Sequence, residues 1–375
     1  MSIKNQAQTP VQQSLAPLNM KVKATRLLIN LIVLLVSLFL TLLLSEIVLR
    51  YMGWESLYVS PERDQFWKYD STLGWVHQPG QEGIFETPQF RTSVHINQKG
   101  LRDDEHAYER ANNTKRILVI GDSFAWGYGV EESERFSELL ETSLGVEVIN
   151  AGVSGYSTDQ ELLWFRNEGI KYDVDLVILI FTGNDIGDND RQLINTIYYK
   201  PHFVKEDGQL ILKGDPVPKA SRQSKLIYYL SQRSAFVYLL VQRYFDLLTY
   251  YNRTVNTGTS SRTLSTSGTN SVEEPFELTI TLLDDIRENA KAKEANFMIV
   301  ATDGWWNSRS EQTYADFIDA LQTNKFLVLD VESIAGFNPE KMHIPNDGHW
   351  NTTGHQFVAE QIKDFIENNE LLSQP

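Results

Sequence analysis

RILVIGDSFAWG, residues 116–127, decides how the chain is read. After Arg116 the run is apolar and rich in β-branched residues, and it stops abruptly at Gly121-Asp122-Ser123. A short apolar run that ends in a turn is what a parallel strand, buried on both faces, looks like in sequence. Four more such runs follow: VEVINA (146–151), DLVILIF (175–181), NFMIVAT (296–302) and KFLVLDV (325–331). Helical spacing predicts helices over 132–144, 158–169, 273–293, 309–323 and 353–368, and Thr158-x-x-Glu161 has the spacing of a capping box. Strands alternating with helices predict an α/β fold with a doubly wound parallel sheet, and five strands favour the flavodoxin-like order.

Outward from this core the pattern changes. Residues 188–275 interrupt the alternation and are too long for an ordinary crossover. They contain SKLIYYLSQRSAFVYLLVQRYFDLLTYY (224–251), apolar and aromatic at helical spacing, which reads as one long helix. NRTVNTGTSSRTLSTSGTNSV (252–272) follows, with 16 of its 21 residues Ser, Thr, Asn or Gly, a linker composition. Residues 50–114 read as a lead-in that packs on the following domain.

The 375 residues are 42% hydrophobic and 22% charged, a globular balance, with a net charge of −15 that argues against a nucleic-acid partner. Cysteine is absent, which excludes disulfides, thiolate metal sites and cysteine nucleophiles. The charge is uneven: residues 1–26 hold Lys4, Lys21, Lys23 and Arg26 and no acid. Leu27 to Ser45 then run uncharged, and a helix of that length spans about 28 Å, the thickness of a bilayer's hydrocarbon. A cleaved signal peptide would have a shorter apolar region and a small-residue cleavage site; here the run exits into Glu46-Ile47-Val48-Leu49-Arg50. The segment therefore reads as an uncleaved anchor over 27–49, with 1–26 a cytoplasmic tail and the bulk of the chain on the other side.

Open α/β sheets bind ligands where loops leave the carboxyl ends of their strands. The first strand ends in Gly121-Asp122-Ser123, the second runs into Asn150-Ala151-Gly152-Val153-Ser154-Gly155 and the third into Gly183-Asn184-Asp185. Asn346-Asp347-Gly348-His349-Trp350-Asn351 follows the fifth. A serine hydroxyl can serve there as nucleophile. The Ser123 N–H, the Gly155 N–H and the Asn184 amide can form an oxyanion hole, and His349 can accept the serine proton.

ILVIGDSFAWG, INAGVSGYST, FTGNDIGDN and NDGHWNTTGH together resemble the four blocks of the SGNH/GDSL hydrolase superfamily. The resemblance covers about 115–187 and 276–370. It implies a flavodoxin-like three-layer sandwich over 115–372, with the long helical insertion 188–275. It also implies ester hydrolysis or acyl transfer with no metal and no cofactor. On that match Ser123 is the nucleophile, His349 the base, and Ser123, Gly155 and Asn184 the oxyanion hole. The lead-in, with Asn97-x-x-Gly100-Leu101-Arg102, and the anchor are similar to bacterial members fixed on the outer face of the cytoplasmic membrane. The expected substrate is then an acylated small molecule or glycan.

One position departs from the family. Its acid usually lies three residues before the histidine, where this chain has Asn346; the carboxylate here is Asp347, two residues before. The same Asp-x-His spacing occurs in related proteins that acetylate exported polysaccharides. Serine esterase is the first reading, with O-acyltransferase and silent glycan-binding protein as alternatives. Trp305-Trp306 are candidates to stack on a sugar. A metal site from Asp347, His349 and His355 would require the last helix to bend.

Overall fold

The computed structural model describes residues 16–54, 62–110, 114–189, 191–194, 197–206, 208–244, 247, 276–304 and 314–372. The five apolar runs form one sheet: β1 (Arg116–Gly121), β2 (Glu147–Asn150), β3 (Leu176–Thr182), β4 (Asn296–Thr302) and β5 (Val328–Asp330). All its pairings are parallel, in the order β2-β1-β3-β4-β5. That is the flavodoxin-like order, and it reverses direction at β1, which lies between β2 and β3.

Period-two alternation divides the strand residues between two cores. Leu118, Ile120, Val177, Leu179, Phe181, Ile299 and Ala301 face the helices Thr158–Asn167, Glu277–Ala292 and Tyr314–Thr323. Ile117, Val119, Leu176, Ile178, Ile180, Met298 and Val300 face Phe136–Leu144 and Thr352–Asn368. Each such side chain contributes about 1.5–3 kcal/mol when buried, which fixes the three layers.

The lead-in builds a third, smaller core. Phe66, Phe85, Val94 and Ile96, from the segment that forms the hairpins Trp67–Asp70/Gly74–His77 and Glu82–Glu86/Arg91–His95, pack with Trp126, Tyr128 and Ile344. Arg102, 1% exposed, donates to the carbonyls of Trp126 (3.1 Å), Gly127 (2.6 Å) and Val130 (2.7 Å) and lies over the Trp126 ring. The lead-in thus braces the loop that follows Ser123.

Several elements differ from the sequence reading. The helix expected over 132–144 is a 3₁₀ turn, Glu132–Glu134, and a helix, Phe136–Leu144. Arg135 between them is extended and fully buried, donating to Asp103 (3.0 Å) and Glu138 (2.8 Å), so its side chain turns inward where a helix would carry on. The capping box forms at Glu131/Glu134 and not at Thr158/Glu161. Ser157 is the N-cap there, Thr158 donates its hydroxyl to Asp185 (3.2 Å), and Glu161 is buried.

The insertion is only partly helical. His202–Glu206 and Gln209–Lys213 form an antiparallel hairpin, for which Asp207-Gly208 is a recognised turn sequence. The single helix expected over 224–251 is Arg222–Ser231 and then 235–244, separated by a turn. The linker 252–272 lies outside the described residues.

The chain divides into two compact units, the described residues of 1–58 with 229–262, and those of 59–228 with 263–375. The first holds the helix Ala16–Tyr51, in which Val22–Tyr51 contains an 18-residue window of mean hydropathy 3.0, none of it buried. It is long and apolar enough to cross a membrane, as an anchor or a signal sequence. Glu46 near its end accepts hydrogen bonds from Ser234 Oγ (2.8 Å), Ala235 N (3.1 Å) and Phe236 N (3.0 Å). Ser234 in turn caps Val237 N (3.1 Å), which accounts for the helix starting afresh at 235.

Replacing Arg102 by Met would leave three loop carbonyls without their donor, each costing about 1–3 kcal/mol. The melting temperature of the detergent-solubilised chain should then fall by about 5–10 °C. An unchanged melting temperature would show that the bracing is dispensable.

Candidate active site

Ser123 opens a short helix, Ser123–Trp126, directly after β1, with the Asp122 carboxyl capping Phe124 N at 2.9 Å. His349 Nε2 lies 2.7 Å from Ser123 Oγ, across 226 residues of chain. Its other ring nitrogen, Nδ1, is hydrogen-bonded to Asp347 Oδ1. A carboxylate oxygen only accepts, so Nδ1 carries the hydrogen and Nε2 is left to accept from the serine hydroxyl. Burial alone would raise the Asp347 carboxyl, but the hydrogen bond and charge of His349 outweigh it and hold the group below its usual range. Tyr128 stacks on the imidazole at 4.1 Å and 19°, and Phe124 packs 4.9 Å away.

The Asp347-to-His349 contact is made by a tight turn. Ile344 N donates to His349 O (2.8 Å), Asp347 N donates to Ile344 O (3.1 Å), and His343 bridges Trp350. Gly348, at φ +95°, and Asn346, at φ +60°, take the left-handed conformations that this turn requires. Asn346 is exposed, at the corner of the turn. The structure therefore brings Ser123, His349 and Asp347 into one chain, and leaves out the position where the family usually carries its acid.

Gly155 and Asn184 flank Ser123 because β2 and β3 are the neighbours of β1. Gly155, at φ +79°, lies in the loop after β2, and a Cβ there would touch Trp67 (3.4 Å), Arg63 (3.6 Å) and Trp75 (3.6 Å). Upstream, the Asn150 side chain accepts from Gly152 N (2.9 Å) and donates to Ala125 O (2.7 Å), tying the β2 loop to the serine helix. Asn184 Oδ1 lies 2.7 Å from Thr182 Oγ1, which also lies 2.8 Å from Asp122 Oδ2. One hydroxyl has one hydrogen for two oxygens. Thr182 therefore donates to one or the other, a relay that joins the Asn184 amide to the Asp122 carboxyl, which burial pushes up.

His355 does not join the site. Its Nδ1 accepts from Phe136 N (3.3 Å), and its ring stacks on Phe136. Among the described residues no group of three His, Asp or Glu side chains is placed to hold a metal. Trp305 and Trp306 lie outside the described residues. Sequence reasoning missed Tyr128 and the segment Glu62–Trp67 beside Gly155; their only signal is aromatic and charged residues in a region otherwise read as a lead-in.

Residues 119–199 match the family model of the GDSL-like Lipase/Acylhydrolase family. The matched stretch takes in Ser123, Gly155 and Asn184. No curated protein is similar to it by sequence. Solved structures similar to it include a psychrotrophic esterase, EstA, from Pseudoalteromonas sp., 12% identical over 68% of this chain and 97% of that one, with a TM-score of 0.36. A GDSL-like lipase from Bacteroides thetaiotaomicron VPI-5482 is 15% identical over 68% of this chain and 89% of that one, with a TM-score of 0.35.

Beneath Ser123 the domain buries a group of carboxyls. Asp185 is pushed well up by burial and by Glu161 and Asp122. Asp159 is pushed up to about 6 by burial, against the pull of its ion-pair partner Lys200. Glu161, with neither carboxyl oxygen hydrogen-bonded, is pushed well above its usual range by burial and by Asp122 and Asp159. The folded chain thus keeps a proton on Glu161 that the unfolded chain releases above about pH 4.3. The stabilisation is fully present below that pH and is lost as pH rises toward the raised value. Glu161→Gln, neutral and of the same shape, should gain stability over the parent as the pH goes from 4 to 8. A stability difference that is flat across that range would show that Glu161 is ionised in the folded state.

Proposed function

We propose that this chain is a membrane-anchored serine esterase that removes small acyl groups from a cell-envelope glycan. The observation that carries the reading is the hydrogen-bond chain Ser123–His349–Asp347. Ser123 Oγ attacks the acyl carbonyl while its proton passes to His349 Nε2, and Asp347 stabilises the imidazolium that forms. The N–H groups of Ser123 and Gly155 and the Asn184 amide hold the oxyanion. His349 then returns the proton to the departing alcohol, and a water, deprotonated by the same nitrogen, releases the acid.

The test is steady-state kinetics on short acyl esters, with free acid and acylated oligosaccharide both measured. Ser123→Ala should abolish turnover. Asp347→Asn should lower kcat by about 10²–10⁴ with little change in KM, since the orienting and electrostatic partner of His349 is lost. Asn346→Ala should cost far less, because Asn346 only shapes the turn. Near-parental rates for Asp347→Asn would make the site a Ser–His dyad. Acylated oligosaccharide forming faster than free acid would make the enzyme a transferase.

The location rests on the apolar helix and the basic residues before it. Lys21, Lys23 and Arg26 hold the amino terminus in the cytoplasm. A reporter active only outside the cytoplasm, fused after Pro375, should be active and remain with the membrane. Its release in a form beginning near residue 50 would show a cleaved signal.

A further inference from the structure

The segment Glu62–Trp67 brings unpaired polar groups to the edge of the site. Glu62 is 1% exposed; its Oε1 accepts from Ser154 Oγ, the residue before Gly155, and its Oε2 makes no hydrogen bond. Arg63 Nε and Nη1 are enclosed and likewise make none, as does Trp67 Nε1. The Arg63 guanidinium lies 4.8 Å from the Trp67 ring and 4.9 Å from that of Tyr198, and those two rings meet edge to face at 5.5 Å. Trp67 stacks on Trp75 at 5.2 Å and 15°. Arg63 Nη2 and Trp67 Cη2 come within 3.6 and 3.4 Å of the position a Cβ would take on Gly155.

A buried donor or acceptor without a partner costs about 1–3 kcal/mol, so four of them gathered beside one glycine call for a ligand that satisfies them. Phe66, fully buried in the lead-in core, holds the segment rigidly in place, so the groups cannot swing out to solvent. An acyl or alkyl chain would cover these groups and satisfy none. A ring with hydroxyls on its edge satisfies both sets: hydroxyl oxygens accept from the Arg63 fork and Trp67 Nε1, and a hydroxyl hydrogen goes to Glu62.

We propose that Glu62, Arg63 and Trp67 form a subsite for a hydroxyl-rich sugar ring in the alcohol portion of the ester, set against the Gly155 edge of the oxyanion hole. The inference rests on the glycan-esterase reading and names the residues that recognise the glycan. Ground-state contacts of this kind act mainly through KM.

The test uses the full chain in detergent and two acetate esters, a mono-O-acetylated methyl glucoside and hexyl acetate, with the ratio of their kcat/KM values as readout. The parent should favour the sugar ester by about tenfold or more, the value of one satisfied buried polar group. Glu62→Gln and Arg63→Met should each reduce that ratio by about tenfold, mostly through a raised KM for the sugar ester. Arg63→Lys, which keeps the charge and loses the fork, should fall between and serves in place of Arg63→Met if that variant does not fold. An unchanged ratio in the variants, whether both rates fall together or neither moves, would overturn the subsite. A parent that does not favour the sugar ester would instead overturn the glycan reading itself.

Discussion

A parallel sheet delivers the carboxyl ends of all its strands to one edge, and reversing the strand order at β1 makes the loops after β2 and β3 neighbours of the loop after β1. Everything at the site depends on that constraint. Ser123, Gly155 and Asn184 lie far apart in sequence, yet the loops that carry them leave one sheet edge side by side because the strands before them are adjacent. His349 arrives from the last loop and is seated by the helix Thr352–Asn368, whose Val358, Ala359, Ile362 and Ile366 pack on the same sheet face as Phe136 and Leu140. The apolar burial that builds the layers is therefore also what brings a hydroxyl and an imidazole within 2.7 Å across 226 residues.

The polar cost of this arrangement is concentrated under Ser123. Asp122, Glu161, Asp185 and the Asp159–Lys200 pair are all buried there. Charged carboxyls so close together in a medium of low dielectric would repel strongly, and protonation relieves that repulsion. The protons also have a structural use. Thr182 Oγ1 is within hydrogen-bond reach of both Asp122 and Asn184, so a proton on Asp122 would leave the Thr182 hydrogen for the Asn184 amide. A charged Asp122 would claim the Thr182 hydrogen for itself and release the amide.

The sheet was legible because its strands are continuous apolar runs, and burial on both faces leaves such runs little freedom to be anything else. The positions of the chemical groups followed from the same runs, since each candidate sits just past a strand end. What the sequence did not disclose is set by contacts between distant segments. Arg135 breaks a helix because Asp103, far upstream, receives its guanidinium. Glu161 looks like half of a capping box but is drawn into the core, with Ser157 taking the cap. The helix over 224–251 divides at Ser234 because Glu46, at the far end of the apolar helix, accepts from the new N-terminus. Asp207-Gly208 is different: it is a local signal for a hairpin, legible in the sequence itself.

The displaced acid shows how backbone geometry substitutes for spacing. With the carboxylate three positions ahead of the imidazole, a loop can curve gently and still present one to the other. With two, the side chains of Asp347 and His349 would tend to point the same way along an extended chain, not toward each other. Left-handed residues on both sides of Asp347, Asn346 at φ +60° and Gly348 at φ +95°, fold the segment back on itself. Asparagine tolerates that conformation better than most side chains, and glycine adopts it freely. The turn closes on Ile344, whose own side chain is anchored among Phe66, Phe85, Trp126 and Tyr128. The carboxylate thus reaches Nδ1 from the shorter spacing because the lead-in, packed under the turn, holds it in shape.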